Sequence, residues 1–219
     1  MASSITEPTA VQLNPPIAEE AAAKERQILD GAAFVFARDG YEGASMSRIA
    51  AEAGVSKGTL YNYFASKAEL FSAYVRRECS RSIATIFDEF DPSTLPADAL
   101  TQVGVGMFRL VLSETALTMY RMVVAEAEKF PELASAFYAE GPARSVAHLA
   151  GYLRGAEAAG TLKVEDPEFA AEQFFALIQT HLCMKRRLRL IAMPSQEELE
   201  HVIGEAVRMF LSTYGVARN

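Results

Sequence analysis

Within seven consecutive positions this chain places Lys57, Gly58, Thr59, Tyr61, Asn62 and Tyr63, interrupted only by Leu60. These side chains suit a nucleic-acid groove. An amine and hydroxyls can donate to phosphate oxygens, Asn and Lys can read base edges, and ring faces can pack on thymine methyls and sugars. Only one of the seven residues carries a formal charge, which is unusual for an exposed helix. Other chemistry finds little support. His148, His181 and His201 have no i, i+4 pair among them, and Cys79 and Cys183 make no CxxC knuckle, so no metal or other cofactor is expected. No nucleophile–base set and no glycine-rich phosphate loop is present, which argues against an enzyme. Lys185, Arg186, Arg187 and Arg189 could bind nucleic acid, or could complement the negative end of a helix. Glu165 and Asp166 read as a solvated helix start rather than an acid/base pair.

The elements that must position the 57–63 segment can be read around it. A first helix is expected from Ile17 to Arg38, with Ile28, Leu29, Ala32, Val35 and Phe36 at helical spacing and Gly40 as its stop. A short helix follows from Met46 to Ala53, capped by Ser45. Gly54-Val55 makes a tight turn, and Ser56 caps the second short helix, Lys57 to Tyr63. Ser66 and Glu69 form a capping-box pattern that opens a long helix to Phe87. Two short helices packed closely around a turn project the second one outward. Residues 1–16 read as a flexible tail, and Asp91-Pro92 as a break. Further helices are expected at 96–112, 114–129, 131–139, 142–159, 167–187 and 196–214, with Gly160 and Gly215 as stops.

Composition supports an all-α fold. The chain holds 37 Ala and 19 Leu against 14 Val and 9 Ile in 219 residues. Prolines are absent between Ile17 and Asp91. No stretch approaches the roughly 20 apolar residues of a membrane span, and the first twenty residues lack the apolar core of a secretory signal. A cytoplasmic protein without membrane contact is the expectation. The net charge of −7 seems hostile to DNA. It is unevenly spread: residues 40–81 hold 6 bases and 4 acids, while residues 82–219 hold 12 bases and 18 acids. Local charge, not the total, sets phosphate contact.

The run SMSRIAAEAGVSKGTLYNYFASKAEL resembles the DNA-binding domain of the TetR family of bacterial transcriptional regulators over about Ala22 to Val75. The resemblance implies a homodimer with two helix-turn-helix heads on a palindromic double-stranded DNA operator, and a C-terminal ligand-sensing domain. It divides the chain into a head at 17–66, joined by a long helix to an effector-binding and dimerisation bundle at 67–219. By position it makes Lys57 to Tyr63, including Gly58, the recognition helix. Lys57 and Asn62 then face bases, Tyr61 packs on the backbone and a thymine methyl, and Thr59 and Tyr63 meet phosphate. Lys67 matches a phosphate anchor and Ser45 a cap that also touches phosphate. Ser47 stands where some members carry a base-reading arginine, and its short side chain turns attention to Arg48 as a phosphate partner. Tyr41 and Tyr63 could instead be packing residues.

The segment Arg121 to Leu153, with its EAEKFPEL and GP motifs, is similar to the C-terminal domain of the AefR-like branch. This implies a helical effector domain. Met107, Phe108, Met119, Met122, Phe137 and Tyr138 are candidates to line a pocket, with Arg121, Glu126 and Gln173 as its polar groups. A Met and Phe stripe at helical spacing is usually core. The last two helices carry Phe174, Leu177, Ile178, Leu182, Leu199, Val202, Ile203, Ala206, Val207 and Phe210 on apolar faces. These could close the monomer core or form half of a four-helix dimer interface. The expected function is a repressor released from its operator by a small, largely apolar effector. The alternative is a DNA-binding regulator without a small ligand, governed by a protein partner or by abundance.

Overall fold

The computed structural model describes residues 15–87 and 93–216. Eleven helices are described: α1 (Pro15–Gly43), α2 (Met46–Glu52), α3 (Lys57–Tyr63), α4 (Lys67–Phe87), α5 (Pro96–Leu112), α6 (Glu114–Glu126), α7 (Pro131–Glu140), α8 (Pro142–Ala158), α9 (Pro167–Ile178), α10 (His181–Arg187) and α11 (Gln196–Tyr214). The only bridge among the described residues is an isolated one between Leu162 and Gly215, so the all-α expectation holds. The break at Asp91-Pro92 lies outside the described residues, as does the tail except for Pro15 and Pro16, which open α1.

The caps formed largely as their residue types dictate. The hydroxyls of Ser45, Ser56 and Ser113 accept from the backbone N–H three residues on. Ser195 and Glu198 close a full capping box. The box at Ser66 is shifted: Ser66 Oγ accepts from Glu69, but the Glu69 carboxylate reaches back to the Ala65 N–H. Gly160 takes positive φ, as a helix stop should, whereas Gly40, at φ 71° and ψ −178°, kinks α1 and the chain resumes helical form to Gly43. Gly215 does not, since it is extended at φ −70°, ψ 141° and pairs with Leu162.

One expected helix is two. The 167–187 segment breaks at Gln179 and Thr180, whose extended Thr180 starts α10 afresh. No proline or glycine marks this position. The break lets Ile178, Leu182 and Cys183 all reach the core, at 1%, 6% and 1% exposure.

Two apolar cores result. The first is built by Ile28, Val35 and Phe36 of α1, Ile49 of α2, Leu60 of α3 and Leu70, Phe71 and Val75 of α4. Met119, Met122 and Val123 of α6 and Leu133 of α7 complete it, so it reaches well past residue 66. Phe71 packs edge-on against Phe36 at 5.3 Å and Tyr41 at 5.4 Å, and Tyr41 meets Phe130 at 4.9 Å. The second core gathers α5, α8, α9, α10 and α11 around Phe108, Leu153, Phe174 and Phe210.

This second core decides between the two readings of the last helices. Phe174, Ile178, Leu182, Leu199, Val202, Ile203, Ala206, Val207 and Phe210 are all buried within the single chain, and only Leu177 is half-buried. Their assignment to a dimer interface is corrected. The reason is α5, which packs against both α9 and α11 where Phe174 meets Phe210 at 5.6 Å. A Cβ at Gly104 would stand 3.0 Å from Ile203 and 3.3 Å from Phe174.

Candidate nucleic-acid interface and effector cavity

The α2–α3 unit is held by a close approach to α1. A Cβ at Gly31 would lie 2.7–2.9 Å from atoms of Ala53. Gln27 Nε2 donates to the Ala53 carbonyl at 2.6 Å, where α2 ends. Gly54 turns the chain at φ 63°, a conformation that disfavours any side chain. Leu60 is wholly buried and Phe64 nearly so, which anchors α3 by one side.

Its other side is open. Lys57, Gly58, Tyr61 and Asn62 are exposed, Tyr61 at 45%. The Lys57 amine stands 5.9 Å from the Tyr61 ring, so the two share a surface. The Thr59 hydroxyl is 2.7 Å from Ser56 Oγ, inside the cap. Tyr63 is half-buried against the first core, and Tyr41 is 2% exposed and belongs to it. Ser45, Ser47 and Arg48 are exposed on α2 and its cap. One Arg48 amine is 3.1 Å from Asp39, whose carboxylate also receives two hydrogen bonds from Arg38. The Arg38 hydrogen bond, helped by both arginine charges, holds the Asp39 carboxyl down at about 2.

Lys67 departs from the expected phosphate anchor. Its amine donates to the carbonyls of Tyr41 at 2.7 Å and Ala44 at 3.0 Å, with Glu42 at 3.4 Å, and lies 4.3 Å from the Tyr41 ring. These are carbonyls freed where α1 ends, and three ammonium protons match three acceptors. Burial lowers the Lys67 pKa, opposed by Glu126 and Glu42.

A cavity of about 660 Å³ opens between α4, α5, α6, α7, α8 and α9. Of the expected lining, Met107, Met119, Phe137 and Tyr138 are there. Phe108 is wholly buried in the second core, and Met122 in the first. Arg121, Glu126 and Gln173 do not line it, Gln173 instead accepting from the Tyr214 hydroxyl. Sequence reading missed Cys79, Ser82 and Ile83 on α4, and Phe175 and Ala176 on α9 with Gln179 at its C-cap. The first set recurs at i, i+3, i+4 and the second at i, i+1, i+4, so the signal was a helical face without a partner to say that it was hollow. Burial pushes the Cys79 thiol up to about 11. Among the described residues no group of three His, Cys, Asp or Glu could hold a metal ion, and no helix is long and apolar enough to cross a membrane. His148 stacks on Phe87 at 4.9 Å.

Comparison with known proteins agrees with this layout. Residues 28–74 match the family model of bacterial regulatory proteins, tetR family, and residues 98–216 match that of the AefR-like transcriptional repressor, C-terminal domain. A TetR-family transcriptional regulator from Mesorhizobium loti superposes with a TM-score of 0.80 at 29% identity, over 90% of this chain and 98% of that one. The flavonoid-responsive regulator FrrA superposes with a TM-score of 0.76 at 30% identity, over 90% of this chain and all of that one. Among curated relatives, the transcriptional repressor AcnR of Corynebacterium efficiens is 38% identical over 61 residues, 28% of this chain and 32% of its own length. The transcriptional activator FasR of Mycolicibacterium smegmatis is 42% identical over 60 residues, 27% of each chain. The chain thus spans about a third of the length of the curated relatives it matches.

Proposed function

This chain belongs to the TetR family of DNA-binding transcriptional regulators, which are not enzymes, and we propose that it is a repressor released from a palindromic operator by a small effector. The observation that carries the DNA reading is α3: a helix anchored by Leu60 and Phe64 whose outer face offers Lys57, Tyr61 and Asn62. That face enters the major groove, with Lys57 and Asn62 toward bases and Tyr61 toward a thymine methyl. Ser45, Ser47, Gly58, Thr59, Tyr63 and Arg48 lie along the phosphates, while Lys67 positions the head rather than touching DNA. Two copies pair through the outer faces of α9, α10 and α11, where Phe169, Met184, Leu188 and Met209 are 54%, 56%, 60% and 47% exposed.

The effector occupies the 660 Å³ cavity, a size suited to a small organic ligand. Release follows from shared parts. Met119 lines the cavity and also belongs to the first core, and Phe137 packs against that core from the cavity side. A ligand that shifts α6 or α7 therefore shifts α1 and α3. The repressor reading rests on the AefR-like match, and the activator FasR marks the contrary outcome.

Binding of this protein to an inverted repeat beside its own gene tests the proposal. Anisotropy should give a complex of one dimer per site, weakening steeply with salt. The half-sites should lie about 34–36 Å apart or somewhat more. A screen of apolar compounds by thermal shift should find ligands that release the DNA. A ligand at 100 times its Kd adds ~2.7 kcal/mol of stability. Binding without any ligand-driven release would favour control by a partner or by abundance.

A further inference from the structure

The cavity is apolar along most of its wall, but its α6–α10 end is not. Arg187, Gln179 and Tyr120 meet there. The Arg187 guanidinium lies 4.7 Å above the Tyr120 ring and donates to Gln179 Oε1 at 2.6 Å. Among the described residues no carboxylate forms an ion pair with it. The other charged lining differs. Glu78 is paired with Arg77 and Arg81, so its charge is matched, and Arg81 is itself 80% exposed. Glu172 is exposed to solvent on the α9 side.

Next along the chain from Tyr120, Gln179 and Arg187, but outside the cavity lining, Arg121 Nη1, Thr180 Oγ1 and Arg186 Nε are buried without a hydrogen-bond partner. Arg186 pairs with Glu114, and the charges of Arg121 and Arg189 also act on that carboxylate. Three guanidinium groups therefore share this one acid, while Arg187, in the cavity wall, has no acid of its own among the described residues. A half-buried guanidinium held over a ring is pre-organised for a planar, two-oxygen acceptor.

We infer that the effector is an amphipathic monocarboxylate, its apolar body against Met107, Met119, Phe137 and Phe175 and its carboxylate on Arg187 and Gln179. This rests on the effector reading above and adds the chemistry of the ligand's head. Gln179 can turn its amide nitrogen to the incoming oxygen when Arg187 exchanges the Gln179 carbonyl for the carboxylate. Uncharged apolar compounds of the same shape would leave the guanidinium desolvated and unpaired.

Matched probes test it by calorimetry on the full chain: dodecanoate against methyl dodecanoate, and 2-naphthoate against its methyl ester. Wild type should bind each acid at least about tenfold more tightly than its ester, which corresponds to ~1.4 kcal/mol. Arg187→Met, close in volume, should reduce that preference to about twofold or less, by weakening acid binding and by sparing the ester an unpaired guanidinium. Ester binding at least as tight as in wild type shows that the cavity is intact in the variant. Gln179→Ala should lower the acid preference partway. Esters binding as well as acids in wild type, or a preference that survives Arg187→Met, overturn the carboxylate head but leave the effector reading standing. No binding of any of the four probes also overturns the carboxylate head, and the thermal-shift screen with DNA release then decides the effector reading by itself.

Discussion

Asp39 and Arg48 set the charge that one flank of the head offers to DNA. Arg48 is exposed but leans on an acid, so any phosphate must compete with Asp39 for it. Asp39→Asn removes the competitor and a local negative charge. Affinity should rise on all DNA sequences alike, and the dependence of log K on log salt should steepen by about 1. The carboxyl carbon of Asp39, followed by NMR, should titrate near 2, below its ordinary 3.8. Its sign is that of a depressed acid: the contacts are in place above the ordinary value and lost as pH falls through about 2. Tyr61→Ala and Asn62→Ala should each cost roughly 1–3 kcal/mol of operator binding and relax base preference. Lys67→Met should act differently. By freeing the carbonyls of Tyr41 and Ala44 it should lower the melting temperature of the head itself, whether or not DNA is present.

The elements of the head are placed by contact as much as by caps. Gly31→Ala illustrates the balance. Alanine gains roughly 1 kcal/mol of helix propensity over glycine. Its Cβ, however, would fall 2.7–2.9 Å from Ala53, two of whose three close atoms are backbone and cannot yield cheaply. Overpacking of this kind costs about 1–3 kcal/mol, so the net effect should be destabilising, measured by urea unfolding. Operator binding should fall further than stability, because α2 and α3 would be pushed off α1. Gly54→Ala should cost about 1–2 kcal/mol through its positive φ. The α9–α10 break shows the limit of local reading. Its residues are ordinary helix residues, and only burial of Leu182 and Cys183 explains the interruption.

At the scale of the molecule, the two cores make one mechanical body, because α6 contributes to the first and borders the cavity. The proposed dimer would form through the surface left over. Phe169→Glu with Met184→Glu should give a monomer by analytical ultracentrifugation, with helical content kept and operator binding lost. The amino-acid sequence determined the helices, their caps, the Gly54 turn and the helix-turn-helix, because those depend on spacing and on neighbours three or four residues away. It also marked the exposed side of α3, since Leu60 and Phe64 are the only large aliphatic or phenyl side chains between Val55 and Leu70. It left open which apolar faces meet inside one chain and which remain outside. Phe174 and Val202 look alike as core or interface until α5 is seen packed against both α9 and α11. Tertiary structure alone decided that, together with the fate of the Lys67 amine and the hollow between α4 and α9. Each is a matter of what lies opposite a side chain, and periodicity along one helix carries no information about its opposite number.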